Sequence, residues 1–253
     1  MMSLTGRHAI VTGGGTGIGA AIARTLAASG VNVSVLGRRD GPLAEVAAAH
    51  PNIAPFVCDV TNAAEVAAAV ARAAERFGTA NILIANAGSA ESKPIASMDG
   101  AHVQRMLDVN FMGTFNLWHA GLPALRKAGS GRLIAIASVA GLKGYPYVAA
   151  YTAAKHAVIG LTRSFALELA ESGITVNAVC PGFVETPMLD ASISNIVAKT
   201  GRSKDDAQRA LTSGNPQRRV IQPEEVASAV LWLCSDGARS VNGHTLTISG
   251  GEI

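Results

Sequence analysis

Tyr151 and Lys155 are four residues apart in a stretch with helical patterning, so their side chains share one helix face. A free tyrosine titrates at about pH 10. A neighbouring ammonium favours the phenolate and moves the group toward proton exchange with an alcohol or a carbonyl. Tyr151 is therefore a candidate acid/base and Lys155 the group that tunes it, although a Tyr-x-x-x-Lys pair also occurs on ordinary amphipathic helices. Ser138 closes a β-branched run, and parallel sheets present ligand-binding groups beyond the carboxyl ends of their strands. Its hydroxyl could orient a carbonyl beside Tyr151; the competing reading is a serine that satisfies nearby backbone groups. A third feature is Thr12-Gly13-Gly14-Gly15-Thr16-Gly17-Ile18-Gly19, directly between a strand-like run and the helical pattern Ala20 to Ala28. Glycines there allow positive φ and close approach of the backbone to a pyrophosphate seated on helix N–H groups. The spacing is not GxGxxG, because Ile18 and Ala20 stand where that pattern wants glycine.

Positioning these groups requires a scaffold, and the hydrophobic pattern supplies one. Seven runs read as strands: His8 to Thr12, Val31 to Leu36, Ile53 to Cys58, Asn81 to Ala85, Arg132 to Ala137, Ile174 to Val179 and His244 to Ile248. They are near-continuously apolar, so both faces are covered. This predicts an α/β fold: a doubly wound, Rossmann-like parallel sheet of seven strands with helices on each side. Helical patterns cover Asn62 to Phe77, Ala101 to Leu122 and a segment starting near Pro223. No Pro/Gly/Ser-rich linker divides the chain, so residues 1–253 read as a single dinucleotide-binding and catalytic domain. The connection Pro181 to Gln222 is long enough to be functional, and within it residues 183–222 are expected to form a lid of two short helices.

Composition narrows the function classes. The 253 residues are 49% hydrophobic, 15% charged and 4% aromatic, with a net charge of +3, which fits a soluble globular chain and argues against nucleic acid as a partner. Cys58, Cys180 and Cys234 form no CxxC pair, which suits a reduced cytoplasmic protein. No leader pattern or membrane-length apolar run occurs, so no membrane partner is expected. His50, His119 and His156 lack metal-ligand spacing, and no metal is expected.

Taken together, Thr12, Gly13, Gly17, Ile18 and Gly19 match the TGxxxGIG fingerprint, and over nearly its whole length the chain resembles the classical short-chain dehydrogenase/reductase family. Further landmarks follow in order: Asp59-Val60, Asn86-Ala87-Gly88, Asn110, Ser138, Tyr151 with Lys155, and Pro181-Gly182 with Thr186. The resemblance implies catalysis by Ser138, Tyr151, Lys155 and Asn110, the last holding a water in a proton relay. It implies nicotinamide-cofactor contacts at Gly13, Gly15, Thr16, Gly17 and Ile18, adenine contacts at Asp59 and Val60, and a cofactor floor at Asn86 and Gly88. Tyr151 and Lys155 would reach the ribose, and Pro181, Gly182, Val184 and Thr186 would lie against the nicotinamide. A buried helix-bonding Asn110, an Asp59 that merely caps a helix and a loop Thr186 without a ligand are the competing readings. Gly37 stands where an acidic NAD marker would fall and Arg38 follows, which favours NADP over NAD.

The stretch Gly173 to Met188 resembles bacterial reductases of 3-oxoacyl thioesters carried by coenzyme A or a carrier protein; Ser172, basic in many carrier-protein enzymes, tilts toward coenzyme A or a free ketone. Arg126, Lys127, Arg202, Arg218 and Arg219 could supply positive charge near the pocket mouth, although each reads more readily as a solvated charge, and Pro94 with Leu142 to Tyr147 could form the pocket. Alternatives are an NAD(H)-dependent dehydrogenase of a free secondary alcohol, sugar or steroid, and a nicotinamide-sensing binding protein without turnover. By resemblance, a homotetramer is expected.

Overall fold

A computed structural model describes residues 4–253. Seven strands form one parallel sheet: β1 (His8–Thr12), β2 (Asn32–Gly37), β3 (Ile53–Val57), β4 (Ile82–Ala85), β5 (Gly131–Ile136), β6 (Ile174–Pro181) and β7 (Thr245–Ile248). Their order is β3-β2-β1-β4-β5-β6-β7, so all seven expected strands are present, with ends within two residues of the sequence reading. The chain winds outward from β1 to β3, then returns to β4 and winds the other way. The order therefore reverses between β1 and β4, and a crevice opens where their outgoing loops part.

Strands β1, β2, β4, β5 and β6 are buried on both faces almost throughout, which explains their unbroken apolar sequences. One layer is built by α1 (Gly17–Ala28) and α9 (Pro223–Cys234), whose Ile22, Leu26, Val226 and Leu233 join Val11, Val33 and Ile84 in a common core. Helix α2 (Asp40–Ala48) adds Leu43 and Val46 to that layer. Pro42 lies in the first turn of α2, where its missing N–H would have had no helical partner. The opposite layer consists of α3 (Ala63–Phe77), α5 (Gly113–Ala128) and α6 (Ala149–Glu168), packed through Val66, Leu117, Trp118 and Val158.

The single helix expected over Ala101 to Leu122 is two. Helix α4 (Gly100–Leu107) passes into a π turn at Asp108–Met112 before α5 begins, and α5 runs on past Pro123 to Gly129, whose φ of +65° ends it. The wide turn lets Asn110 turn inward, donating from Nδ2 to the Met106 carbonyl at 2.9 Å while Thr114 donates to the Asn110 carbonyl at 3.0 Å. Between β6 and α9 lie α7 (Pro187–Thr200) and α8 (Lys204–Thr212), the two expected short helices, with a small core of Leu189, Ile193 and Ala207. A parallel bridge between Val184 and Ile221 closes the base of this segment.

At the opposite edge of the sheet His8 is 1% exposed, with Nδ1 at 2.7 Å from the Gly78 carbonyl and Nε2 at 2.9 Å from the Ser34 hydroxyl. A carbonyl can only accept, so the neutral ring donates from Nδ1 and accepts from Ser34 at Nε2. Burial lowers the His8 pKa below 6.5. The unfolded chain then takes up a proton more readily, so the stability held by neutral His8 is complete above about pH 6.5 and is lost as the pH falls toward the folded value. Urea unfolding at pH 7.5, 6.5 and 5.5 is expected to show a loss on the order of 1 kcal/mol that is reduced in His8→Gln; equal losses in both proteins would remove His8 as the cause.

Candidate active site

The reversal between β1 and β4 is locked by side chains. The Thr12 hydroxyl accepts from the backbone N–H groups of Asn86 at 3.0 Å and Ala87 at 3.1 Å, while Asn86 Nδ2 donates to the Thr12 and Gly13 carbonyls at 2.9 and 3.2 Å. Asn86 thus clamps the glycine turn from beneath. Gly13 and Gly17 have φ of +64° and +52°, a region that favours glycine, and a Cβ at Gly13 would lie 2.9 Å from Ala87 Cα. Helix α1 begins directly after this turn. Its N-cap Thr16 makes no side-chain cap bond, and its first turn carries no acidic residue. The leading N–H groups are therefore available to an anion, which is what a dinucleotide pyrophosphate requires, and the cradle fits that group.

A cleft of about 530 Å³ extends from Gly13 past Arg38, Asp59, Val60 and Gly88. A smaller hollow lies between Gly15, Thr16, Arg38 and Arg39. Among the described residues Arg38 makes no ion pair. The Asp59 carboxylate accepts from the Thr61 N–H and hydroxyl at 2.9 and 2.8 Å; the backbone bond is the main cause of its lowered pKa, and Arg38 adds to it. The cap of α3 is Asn62, which accepts from Ala64 and Glu65, so the helix-cap reading of Asp59 does not hold. The Val60 carbonyl is held by Asn116 Nδ2 at 2.9 Å from α5. Asn116 was missed in the sequence, where its one signal is a polar residue within a buried helical face.

Across the crevice, Ser138 follows β5 and stands within hydrogen-bond reach of the Tyr151 hydroxyl, while its Oγ accepts from the Ala140 N–H at 3.1 Å. Ser138 thus satisfies a nearby backbone group and also faces Tyr151. Lys155 is 4% exposed; its Nζ donates to the Ile136 carbonyl at 2.8 Å and lies 5.6 Å from the centre of the Tyr151 ring. The electrostatic balance runs against the expectation that Lys155 lowers the Tyr151 pKa. Burial raises the phenol, only the Ser138 hydrogen bond opposes it, and burial lowers Lys155 itself to about 8. Cys180, on β6 beneath this pair, receives the Ser138 N–H, and burial raises its thiol to about 11, so it stays neutral. Nothing in the sequence singled it out.

Asn110 is fully buried and spends both amide hydrogens, on Met106 and on the Ser89 carbonyl at 2.9 Å. Its Oδ1 has no partner among the described residues. A Cβ placed on Gly88 would lie 2.6 Å from that oxygen and 3.6 Å from Lys155 Nζ, so the oxygen and the ammonium share one gap. The helix-bonding reading accounts for the nitrogen of Asn110 and leaves the oxygen free for an inward partner. On the other side, Pro181 ends β6 and Gly182 donates its N–H to the Ile248 carbonyl at 3.0 Å. Thr186 packs against Gly17, but its hydroxyl caps α7 through the Leu189 N–H at 3.4 Å and donates to the Val184 carbonyl at 3.2 Å. It is thus a helix cap and not a simple loop threonine. The Val184 side chain is buried, and Ile18 packs against the core of the α1 layer.

The cleft mouth is crossed by a hydrogen bond from Asn195 Nδ2 on α7 to Ser92 Oγ at 2.8 Å, and Lys93 donates its N–H to the Tyr147 carbonyl at 2.7 Å. Of the five basic residues expected there, Arg126 and Lys127 sit in the last turn of α5, beside the start of β5 at the opposite edge of the sheet. Arg219 is neutralised by Glu225 at 2.6 Å. Arg202 and Arg218 lie on the segment between β6 and α9 and make no ion pair among the described residues.

Residues 7–196 match the short chain dehydrogenase family. The chain is 36% identical to D-beta-hydroxybutyrate dehydrogenase of Rhizobium meliloti (strain 1021), covering 97% of this chain and 98% of that protein. Among solved structures it superposes on a point variant of actinorhodin polyketide ketoreductase with NADPH at a TM-score of 0.93 and 35% identity, covering 97% of each chain. Levodione reductase matches at a TM-score of 0.92 and 33% identity over 98% of each chain. With its glycine cradle, its Ser-Tyr-Lys corner and these relatives, the chain belongs to the short-chain dehydrogenase family and is an oxidoreductase acting on CH–OH and C=O groups.

Proposed function

We propose that this oxidoreductase is an NADP(H)-dependent ketoreductase whose substrate is a 3-oxoacyl thioester. The observation that carries the reading is the corner of Ser138, Tyr151 and Lys155 at the carboxyl edge of the sheet, where burial raises the Tyr151 phenol and Lys155 is anchored on the Ile136 carbonyl. A phenol that keeps its proton at neutral pH is suited to donate it to a developing alkoxide. The bound nicotinamide supplies the hydride. Ser138 orients the carbonyl, Tyr151 delivers the proton to its oxygen, and Lys155, anchored on Ile136, directs its remaining N–H groups to the ribose and toward Tyr151. Asn110 Oδ1 and Lys155 together provide acceptor and donor for a proton path refilling Tyr151.

Arg38 supports NADP(H): it borders the hollow beside the glycine turn, carries no ion pair among the described residues, and stands where a ribose phosphate would sit. Gly13, Gly15, Thr16, Gly17 and Ile18 would hold the pyrophosphate, Asp59 and Val60 the adenine, Asn86 and Gly88 the floor, and Pro181, Gly182, Val184 and Thr186 the nicotinamide side. Likeness to a polyketide ketoreductase supports the thioester. Placement of Arg126 and Lys127 away from the cleft favours a second reading, a free hydroxy acid or ketone, in keeping with the hydroxybutyrate dehydrogenase relative. Residues 1–253 would act as one domain with 183–222 as its lid. Leu167 at 81% exposure, Trp232 and the half-buried β7 support self-association into a homotetramer, and three free, buried cysteines suit the cytoplasm.

Side-by-side oxidation of NADPH and NADH with acetoacetyl-coenzyme A and with a panel of free ketones tests the reading; turnover of free ketones alone would overturn the thioester, and of NADH alone the cofactor. Tyr151→Phe is expected to lower kcat by about 10²–10⁴-fold with NADPH affinity unchanged, and substantial remaining turnover would mean another group is the acid. Arg38→Asp is expected to shift the kcat/KM ratio toward NADH, and an unaltered ratio would remove Arg38 from cofactor selection.

A further inference from the structure

After β7 the chain turns through Gly250 and Gly251, with φ of +63° and +93°, and delivers Glu252 into the fold. The Glu252 side chain is 3% exposed; its carboxylate accepts the Tyr145 hydroxyl and pairs with Lys143 Nζ at 2.9 Å. Lys143 and Tyr145 lie in the loop that joins Ser138 to the helix carrying Tyr151. The same carboxylate reaches two other pieces of chain. A Cβ at Gly214, in the turn after α8, would lie 2.9 Å from Glu252 Oε1, and one at Gly182, just beyond β6, would lie 3.5 Å from Oε2. The approach is equally tight on the backbone side, where any side chain at Gly250 would collide with the Asn215 amide. Three segments that meet nowhere else in sequence therefore converge on one acid.

A buried carboxylate persists only when its charge is compensated, and here Lys143 and Tyr145 are the compensating groups. The pairing also orders the loop between Ser138 and Tyr151 against the start of the segment that follows β6. The Tyr145 ring packs edge-on against Phe183 with centroids 6.4 Å apart, and Lys143 Nζ stands 5.1 Å from the centre of the Tyr145 ring. Glu252 raises the Tyr145 phenol through its hydrogen bond and charge, adding to burial, so this second tyrosine remains a donor to Glu252 and does not compete with Tyr151 as the acid.

We propose that Glu252 is a positioning residue that clasps the α7–α8 segment to the catalytic loop and holds Tyr145 and Lys143 as one wall of the substrate cleft. Ketone affinity depends on it; the hydride and proton steps do not. What occupies the cleft rests on the ketoreductase reading, whereas the clasp itself does not.

The test compares Glu252→Leu, Glu252→Gln and Tyr145→Phe in the full-length protein. Glu252→Leu is expected to raise KM for the ketone about ten-fold while kcat and NADPH affinity change less than about three-fold. Glu252→Gln, which keeps an acceptor for Tyr145, is expected to fall between wild type and Glu252→Leu. Adding Tyr145→Phe to Glu252→Leu should cost nothing further, because the two act through one contact. An unchanged KM in Glu252→Leu, or fully additive effects in the double variant, would overturn the proposal. Hydrogen exchange provides a readout without substrate: amides of residues 207–222 are expected to lose protection about ten-fold in Glu252→Leu at unchanged exchange of β1 and β4. Unaltered protection there overturns the clasp. A wild-type protein that reduces no ketone or thioester overturns only the functional reading, and the exchange measurement still decides the clasp.

Discussion

The Thr12 hydroxyl, accepting from two successive N–H groups beyond β4, is the joint on which the carboxyl edge depends. Two parallel strands can pair along their length and still send their loops in opposite directions, and something must satisfy the backbone groups exposed where they part. Thr12 and Asn86 do so with side chains alone. The glycine turn is left open toward the helix that follows. The uncapped start of α1, the floor at Gly88 and the depth of the cleft all follow from that one crossing.

On the far side of the cleft the governing quantity is burial. Lys155 and Tyr151 are close enough to influence each other, yet desolvation pushes the lysine down and the tyrosine up. Tyr151 therefore keeps its proton, while Lys155, lowered to about 8, stays mostly charged near pH 7. Ser138, the Ile136 carbonyl and the unpartnered oxygen of Asn110 are the polar atoms within the fold that can offset this desolvation. A charged molecule entering this corner would change the balance more than any single protein contact does.

The scaffold was largely legible because both-face burial leaves a direct mark: unbroken apolar runs, regularly separated by Ala-rich helices, read as parallel strands without further information. The glycine turn and the Tyr151–Lys155 spacing were legible for the same reason, being local. What was not legible depends on partners distant in sequence. The π turn at Asn110 has no composition signal, and the Ser89 carbonyl that its amide reaches lies 21 residues away. The cap that Thr186 provides to α7, with Pro187 directly after it, was not anticipated. Arg126 and Lys127 were placed at the mouth because charge is visible in a sequence whereas the end of the sheet it decorates is not. Asn116, Cys180 and Glu252 each act through a contact that only the fold creates.

The order in which these pieces lie along the chain has a consequence for biosynthesis. No two neighbouring strands are joined by a hairpin, so every pairing waits for a crossover to be completed. On the ribosome, β1 to β3 can assemble early, but the clamp on the glycine turn must wait for Asn86. The loop between Ser138 and Tyr151 then waits far longer for Glu252, which lies 107 residues beyond Tyr145. A nascent chain can therefore complete its glycine turn well before the contacts of Glu252 can form.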